Sequence, residues 1–307
     1  MAETNFPALD AYAPNEMARR VETVGVKKAN LNWVTTLALS ILAGAFIALG
    51  ANFATIVWTD NGLSFGLSRL AGALVFALGL ILVIVGGAEL FTGNSLIVMA
   101  WASHKISTRQ LLRNWALVYV GNFVGAVATA FGFYLARQWM FDSYQVGATA
   151  LNIANTKTSL DFFAAFMLGV FCNALVCLAV WLCFSAHSTT DKILAILPPI
   201  AAFVAGGLEH SIANMYFIPM GLFLKNEAAV LLAANKTAEQ LQNLTWQNFL
   251  VMNLLPVTLG NIVGGAVLVA AVYWFVYLRN EGENRLTRSL DVLKSNGKRK
   301  ETTRENF

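Results

Sequence analysis

Long apolar runs separated by short polar connections dominate the chain. The runs cover residues 31–58, 66–101, 108–136, 160–186, 193–224 and 247–278. A helix needs about 20 apolar residues to cross the ~30 Å hydrocarbon core of a bilayer, and each run reaches that length. The pattern therefore predicts an all-α integral membrane protein, with a six-span domain over residues 30–279.

The composition agrees with a lipid environment. Hydrophobic residues make up 57% of the 307 residues and charged residues only 12%, against about 25% charged residues in a typical soluble domain. An ordinary soluble domain is excluded, and the net charge of +4 does not suggest a nucleic-acid partner.

Both ends of the chain are polar. Residues 1–29 are predicted as a cytoplasmic segment with a short amphipathic helix over 14–28, which suits an interfacial anchor or a gating element. Residues 280–307 form a basic cytoplasmic tail that is disordered or lies against anionic lipid.

Basic residues predict the orientation in the membrane. An even number of crossings returns both termini to one side, where 16 Lys and Arg residues lie against five on the other side. Cytoplasmic connections carry the excess of Lys and Arg. Both termini are therefore predicted to be cytoplasmic, in the cell inner (plasma) membrane.

The sequence contains an internal repeat. Residues 86–92 (Gly-Gly-Ala-Glu-Leu-Phe-Thr) interrupt the second run, and residues 206–212 (Gly-Gly-Leu-Glu-His-Ser-Ile) interrupt the fifth. Residues 121–125 and 260–264 both read Gly-Asn-x-Val-Gly, in the third and sixth runs. Two copies of three spans predict an inverted repeat with broken second and fifth helices. The glycine pairs of the third and sixth runs also suit close helix packing.

The interruptions carry the candidate chemistry. Broken backbone survives at membrane depth only beside protein or water, so a lined cavity is expected there. His210 is the only histidine within an interruption, and an ionisable group at that depth typically marks a pathway or relay. Glu89 and Glu209 follow the glycines, where their carboxylates could accept hydrogen bonds from freed backbone N–H groups. Half-helix N-termini meeting at the midplane favour a small anion.

Other polar residues surround this region in the sequence. Thr92 offers a hydroxyl, and Asn173 and Asn261 offer amides, although each alone is typical of helix-joining hydrogen bonds. Lys157 belongs to an external connection, where it is either a solvated loop charge or an attraction for anions.

Three motifs together resemble the formate/nitrite transporter family, and within it the formate channels. They are residues 86–92, residues 209–215 with 218–221, and residues 256–265, and the similarity runs over about 17–279. The resemblance implies an aquaporin-like protomer with its own pore in a homopentamer.

The resemblance also implies roles for individual residues. Phe76, Phe203 and the nearby Val176 would narrow the outer side, and Leu80, Leu90 and Phe91 the inner side. His210 and Thr92 would lie between these constrictions. Four further residues match positions that orient the histidine or admit the anion: Lys157, Asn173, Glu209 and Asn261.

These expectations define a hypothesis for transport. A carboxylate would cross as a neutral acid because burying its charge is far more costly than adding a proton. His210 would lend formate a proton, or stay charged and pair with it.

Several alternatives stay open at this point. Nitrite, hydrosulfide, acetate or lactate could use the same path, and an ion-coupled secondary carrier is also compatible with it. A haem-bearing membrane enzyme would need two deep, facing histidines, and no GxSxG, HExxH or P-loop string occurs. We therefore expect a transporter for a small anion and protons, with no catalytic residue, cofactor or metal.

Overall fold

The computed structural model describes residues 11–280 of the chain. The predictions for residues 1–10, and for all but the first residue of the basic tail 280–307, lie outside the described residues. Residues 11–280 are helices and the turns between them, with no β-strand. The predicted all-α class is confirmed for this part of the chain.

The first half follows the predicted runs closely. Its helices are α1 (Pro14–Ala29), α2 (Trp33–Trp58), α3 (Phe65–Phe76), α4 (Leu78–Gly86), α5 (Val98–Ala102) and α6 (Thr108–Leu135), and a 3₁₀ segment, Gly93–Ile97, precedes α5. The α3 and α4 helices adjoin and form one apolar helix, Phe65–Gly86.

The second half repeats this order. Its helices are α7 (Gln145–Thr158), α8 (Phe162–Cys183), α9 (Thr189–Ala205), α10 (Ser211–Leu224), α11 (Ala228–Ala233), α12 (Trp246–Asn248), α13 (Leu255–Ile262) and α14 (Val272–Tyr277). Two π-helical segments, Phe249–Leu254 and Val263–Ala271, flank α13 within one long apolar helix, Glu239–Tyr277.

The apolar helices can cross a bilayer. Five helices among the described residues are long and apolar enough, and two shorter apolar helices, Gly93–Ala102 and Ser211–Leu224, follow the interruptions. Several apolar helices of membrane-spanning length are therefore confirmed among residues 11–280.

Both predicted interruptions are present. Gly87 follows α4 with φ 75°, and Gly207 follows α9 with φ 71°. This left-handed backbone is strained for residues with a Cβ and is typical of glycine at the end of a helix. Each Gly-Gly pair therefore ends a helix, at an exposed Gly87 and a half-buried Gly207, and the chain resumes helix at Gly93 and at Ser211.

The glycine pairs of the third and sixth runs bring helices together. The α6 helix packs on α2 and α13 packs on α8. A Cβ built on Gly125 would lie 2.0 Å from the carbonyl oxygen of Ile41, and one built on Gly264 would lie 2.0 Å from that of Val170. The packing interpretation of these motifs is confirmed, since only a hydrogen atom fits at either contact.

The α1 helix packs against the rest of the protein. Its residues Met17 and Val21 are buried, and Gly25 faces Ile97. Tyr12, just before α1, stacks on His187 with ring centroids 4.1 Å apart. The interpretation of this apolar stripe as a lipid anchor is wrong, because the stripe faces the helical bundle.

Replacing either contact glycine should destabilise the fold. We expect Gly125→Ala and Gly264→Ala to lower the free energy of unfolding by about 1–3 kcal/mol, because an added methyl group overpacks a backbone contact. Thermal unfolding in detergent measures this effect. Gly132→Ala on α6 is the matched control, because no heavy atom lies within 4 Å of its added Cβ. Equal effects at all three positions would contradict the packing account.

Candidate functional site

A buried polar contact joins the two interruptions. His210, at the start of α10, is 3% exposed. Its Nε2 lies 2.9 Å from the Oγ1 of Thr92, which belongs to the first interruption. The predicted site residues His210 and Thr92 are therefore neighbours, although 118 residues separate them in sequence.

Hydrogen bonding defines the tautomer of His210. The backbone N–H of Ala213 donates to Nδ1 over 3.1 Å, so the lone pair of this nitrogen is occupied. The ring proton of the neutral imidazole is then on Nε2, which donates to the Thr92 hydroxyl. A second proton on the ring would require this backbone bond to break.

Asn261 holds the backbone on both sides of His210. Its Oδ1 accepts from the N–H of Ser211 over 2.9 Å. Its Nδ2 donates to the carbonyl oxygens of Glu209 over 3.0 Å and of Gly169 over 2.8 Å. One buried amide thus satisfies groups that the interruption removes from regular helix bonding and fixes the path of the chain at the histidine.

Asn173 connects this amide to the first interruption. Its Nδ2 donates to the carbonyl oxygen of Asn261 over 2.7 Å and contacts that of Thr92 at 3.3 Å. The α8 helix thereby links both halves of the site.

Glu209 forms an ion pair with Lys157. We call the Lys157 side of His210 outer and the opposite side inner, after the predicted orientation. The Oε1 of Glu209 lies 2.7 Å from the Nζ of Lys157, and the Lys157 side chain is 16% exposed. Its Oε2 accepts from Asn214 over 2.7 Å and from Asn253 over 3.2 Å. Lys157 belongs to the last turn of α7 and is not the loop charge that was one of its two interpretations.

The prediction that the glutamate carboxylates accept hydrogen bonds from freed backbone N–H groups is wrong. The side-chain donors of Lys157, Asn214 and Asn253 occupy the Glu209 carboxylate, and the freed N–H of Ser211 binds Asn261. An amide suits this position better because it both accepts from an N–H and donates to a carbonyl.

The first interruption carries the same network. Lys28 Nζ lies 3.1 Å from Glu89 Oε1, and Asn94 donates to Glu89 Oε2 over 2.7 Å. Asn122 accepts from the Phe91 N–H over 2.9 Å and donates to the Glu89 carbonyl over 2.9 Å. The lysine, the asparagine five residues on and the amide that holds the backbone therefore recur around both glutamates. The Glu209 bond from Asn253 does not, since Asn114 near Glu89 accepts from Asn94 over 3.0 Å.

Sequence reasoning missed several members of these two networks: Lys28, Asn94, Asn114, Asn122, Asn214 and Asn253. A signal for three of them is present in the sequence. Asn94 and Asn214 each follow a glutamate by five residues, and Asn122 has the same place in the repeated Gly-Asn-x-Val-Gly motif as the predicted Asn261. No comparable local spacing marks Lys28.

Two buried phenylalanines lie on the outer side of His210. The rings of Phe76 and Phe203 meet edge to face with centroids 5.6 Å apart, and the Phe203 ring lies 5.8 Å from the imidazole. The two aromatic rings therefore adjoin the imidazole.

The residues predicted for the inner side separate into two groups. Leu80 and Leu90 line a small cavity of about 40 Å³ on the inner side. Phe91 instead packs on Tyr119 with ring centroids 4.9 Å apart. Val176, predicted for the outer side, is buried in the same apolar core.

Two larger cavities flank the site. The outer one has a volume of about 420 Å³, and its lining includes Lys157, Glu209 and His210. The inner one has a volume of about 610 Å³. Its charged lining residues are Arg19, Arg20, Lys28, Glu89 and Lys192. Both cavities carry an excess of positive charge, which favours anions.

Loss of the Asn261 amide should destabilise the second interruption. We expect Asn261→Ala to lower the free energy of unfolding by about 2–4 kcal/mol, since it leaves a buried N–H and two carbonyl groups without their partner. Thermal unfolding of the purified protein measures the change. Asn248→Ala is the matched control, because the hydrogen bond of this amide is exposed. A loss no larger than that of the control would refute the role of Asn261.

Known proteins resemble this chain over most of its length. The sequence profile described as Formate/nitrite transporter matches residues 15–275. The formate channel FocA of Escherichia coli (strain K12) is 42% identical over 273 residues, which cover 88% of this chain and 96% of that protein. FocA of Haemophilus influenzae is 40% identical over 262 residues, which cover 84% of this chain and 92% of that protein.

Solved structures agree with these sequence relatives. A structure described as a pentameric formate channel with formate bound has a TM-score of 0.75 and 44% identity, and covers 80% of this chain and 98% of its own. A structure described as an FNT family ion channel has a TM-score of 0.71 and 28% identity, and covers 85% and 98%. The chain is an integral membrane protein that belongs to the formate/nitrite transporter family.

Proposed function

We propose that this protein is a membrane channel for formate, which crosses together with one proton. The observation that carries the proposal is the buried contact of His210 with Thr92, beside the Phe76–Phe203 ring pair. We take this ring pair and the residues Leu80 and Leu90 as the two constrictions of the path. Similar proteins named formate channels and a related structure with formate bound favour formate as the permeant.

The first step is attraction of the anion into a vestibule. On the outer side Lys157 and Arg69 line the cavity with Glu209, and on the inner side four basic residues accompany Glu89. The excess positive charge raises the local concentration of a small anion on either side.

The second step is neutralisation before the narrow path. Moving a bare carboxylate into an apolar region carries an idealised cost of tens of kcal/mol. Protonating an acid with a pKa near 4 at pH 7 costs about 4 kcal/mol, since one pKa unit equals ~1.36 kcal/mol. Formate therefore crosses as formic acid, with a proton taken up in the vestibule.

The third step is passage beside His210. The Nε2–H group donates to the carbonyl oxygen of the acid, and the Thr92 hydroxyl accepts from its O–H. Direct pairing of formate with an imidazolium is less favourable, because Nδ1 accepts the Ala213 N–H. We therefore assign His210 the role of a neutral hydrogen-bond donor that assists proton-coupled passage.

The finer architecture follows from the duplicated networks. We infer six crossings in two inverted three-helix repeats, because the bonds around Glu89 and Glu209 match and three is an odd number of spans. A homopentamer with one aquaporin-like pore in each protomer is supported by the pentameric relative. The distribution of Lys and Arg supports cytoplasmic termini in the inner membrane.

The alternatives have less support. Nitrite, hydrosulfide, acetate and lactate fit the same positive vestibules, but the relatives at 40–42% identity are named formate channels. A channel is favoured over an ion-coupled carrier for the same reason. We also infer transport without catalysis, since the family is one of transporters.

Removing the imidazole of His210 should slow formate transport. We expect His210→Ala to reduce formate flux into proteoliposomes by about 5- to 150-fold, because a lost hydrogen bond inside the path raises the barrier by ~1–3 kcal/mol. Wild-type flux should rise by up to about tenfold when the pH on the formate side falls by one unit, as the neutral acid becomes more abundant.

His104→Asn is the control for this experiment, because His104 is exposed and its positive φ of 57° suits asparagine. Wild-type flux from His210→Ala would contradict the role of the imidazole. A formate flux that does not change with pH would contradict proton coupling.

Widening the two constrictions should relax selectivity. We expect Phe76→Ala combined with Leu80→Ala to lower the ratio of formate to lactate flux by about tenfold, because a larger opening admits the larger acid. Leu70→Ala combined with Leu74→Ala is the control on the same helix, since both side chains are exposed. An unaltered ratio in the Phe76/Leu80 variant would refute the constrictions.

A further inference from the structure

Arg69 on α3 binds the end of a neighbouring helix. Its Nε donates to the carbonyl oxygen of Ala205 over 3.0 Å, and its Nη2 donates to that of Val204 over 2.8 Å. These carbonyls belong to the last turn of α9, directly before the second interruption. The Val204 carbonyl also accepts from the N–H of Gly207 over 3.1 Å, so the guanidinium adds a second bond there and binds the Ala205 carbonyl beside it.

The chemistry of arginine suits this position. The last carbonyl groups of a helix have no partner within the helix, and unpaired ones are costly at membrane depth. A guanidinium presents several donors in a rigid planar fork, and its charge complements the negative end of the helix dipole. Arg69 therefore holds α9 at two adjacent points.

The first interruption lacks such a contact. Among the hydrogen bonds of residues 11–280, none runs from a side chain to the corresponding carbonyls of α4, Ile84 and Val85. The two halves share their lysine, glutamate and asparagine contacts but differ here. Among the described residues, a side-chain bridge to the end of a helix is therefore present only at the second interruption. We call this Arg69 contact the brace.

The brace lies close in sequence to the aromatic contact beside His210. Phe76 follows Arg69 by seven residues on α3, which places both on one helix face. Phe203 directly precedes Val204 on α9. The brace and the ring pair therefore join the same two helix segments, and the Phe76–Phe203 centroid distance of 5.6 Å depends on how those segments are held.

We propose that Arg69 is a positioning residue that sets the width of the outer constriction, and thereby its size selectivity, by bridging α3 to the Val204 and Ala205 carbonyls. This inference rests on the proposed function for its flux readout only. Arg69 also lines the outer cavity beside Lys157, so a purely electrostatic role is the competing account.

Three substitutions separate bridging from charge: Arg69→Lys, Arg69→Gln and Arg69→Met. Each loses the two-point bridge, while only lysine keeps the charge. We expect all three to lower the ratio of formate to lactate flux by about three- to tenfold, because a looser pocket discriminates less by size. Wild-type selectivity in Arg69→Lys, with equally reduced flux of both anions in Arg69→Gln and Arg69→Met, would overturn the proposal.

A structural measurement completes the test. Cryo-electron microscopy of Arg69→Gln, the mildest neutral change, should show Phe76 and Phe203 farther apart than in wild type, and an unchanged separation would overturn the proposal. Arg137→Met is the matched control, since Arg137 is exposed at the end of α6. This readout needs no permeant, so a wild type that fails to pass formate would refute the proposed function while the brace is still tested.

Discussion

The structure depends on one constraint: backbone that leaves a helix at membrane depth must find its hydrogen bonds within the protein. Gly87 and Gly207 end helices at the edges of the two large cavities, and Asn122 and Asn261 supply buried partners for the backbone that follows each glycine. These two amides are buried and fully used. The interruptions are consequently rigid features of the fold, and they give the site its fixed geometry.

The same constraint limits the chemistry of the site. The backbone N–H groups of Phe91, Ser211 and Ala213 bind asparagine and the imidazole itself, so these three groups are not free to bind an anion. Positive charge lies instead on Lys28 and Lys157, each paired with a glutamate at the edge of a cavity. In the mechanism that we propose, the anion is attracted in the cavities and the neutral acid passes beside His210. This separation suits a path that excludes bare charge.

Near-symmetry makes the departures from symmetry informative. Glu89 and Glu209 each bind a lysine and the asparagine five residues on, but only Glu209 is followed by a histidine. The end of α9 also binds Arg69, which reaches it from α3 in the first half. The repeat supplies the scaffold, and a few residues that lack a repeat counterpart supply the selectivity that we propose.

The sequence by itself determined the helical class, the spans and the two interruptions, because hydropathy and the Gly-Gly pairs are local signals. It also singled out His210, since it is the only histidine within an interruption. The tertiary structure alone decided the contacts of that ring with Thr92 and Ala213, the ion pair of Lys157, and the roles of Lys28, Asn122 and Arg69. These residues act on partners tens of residues away, and spacing along the chain carries no record of which helices meet.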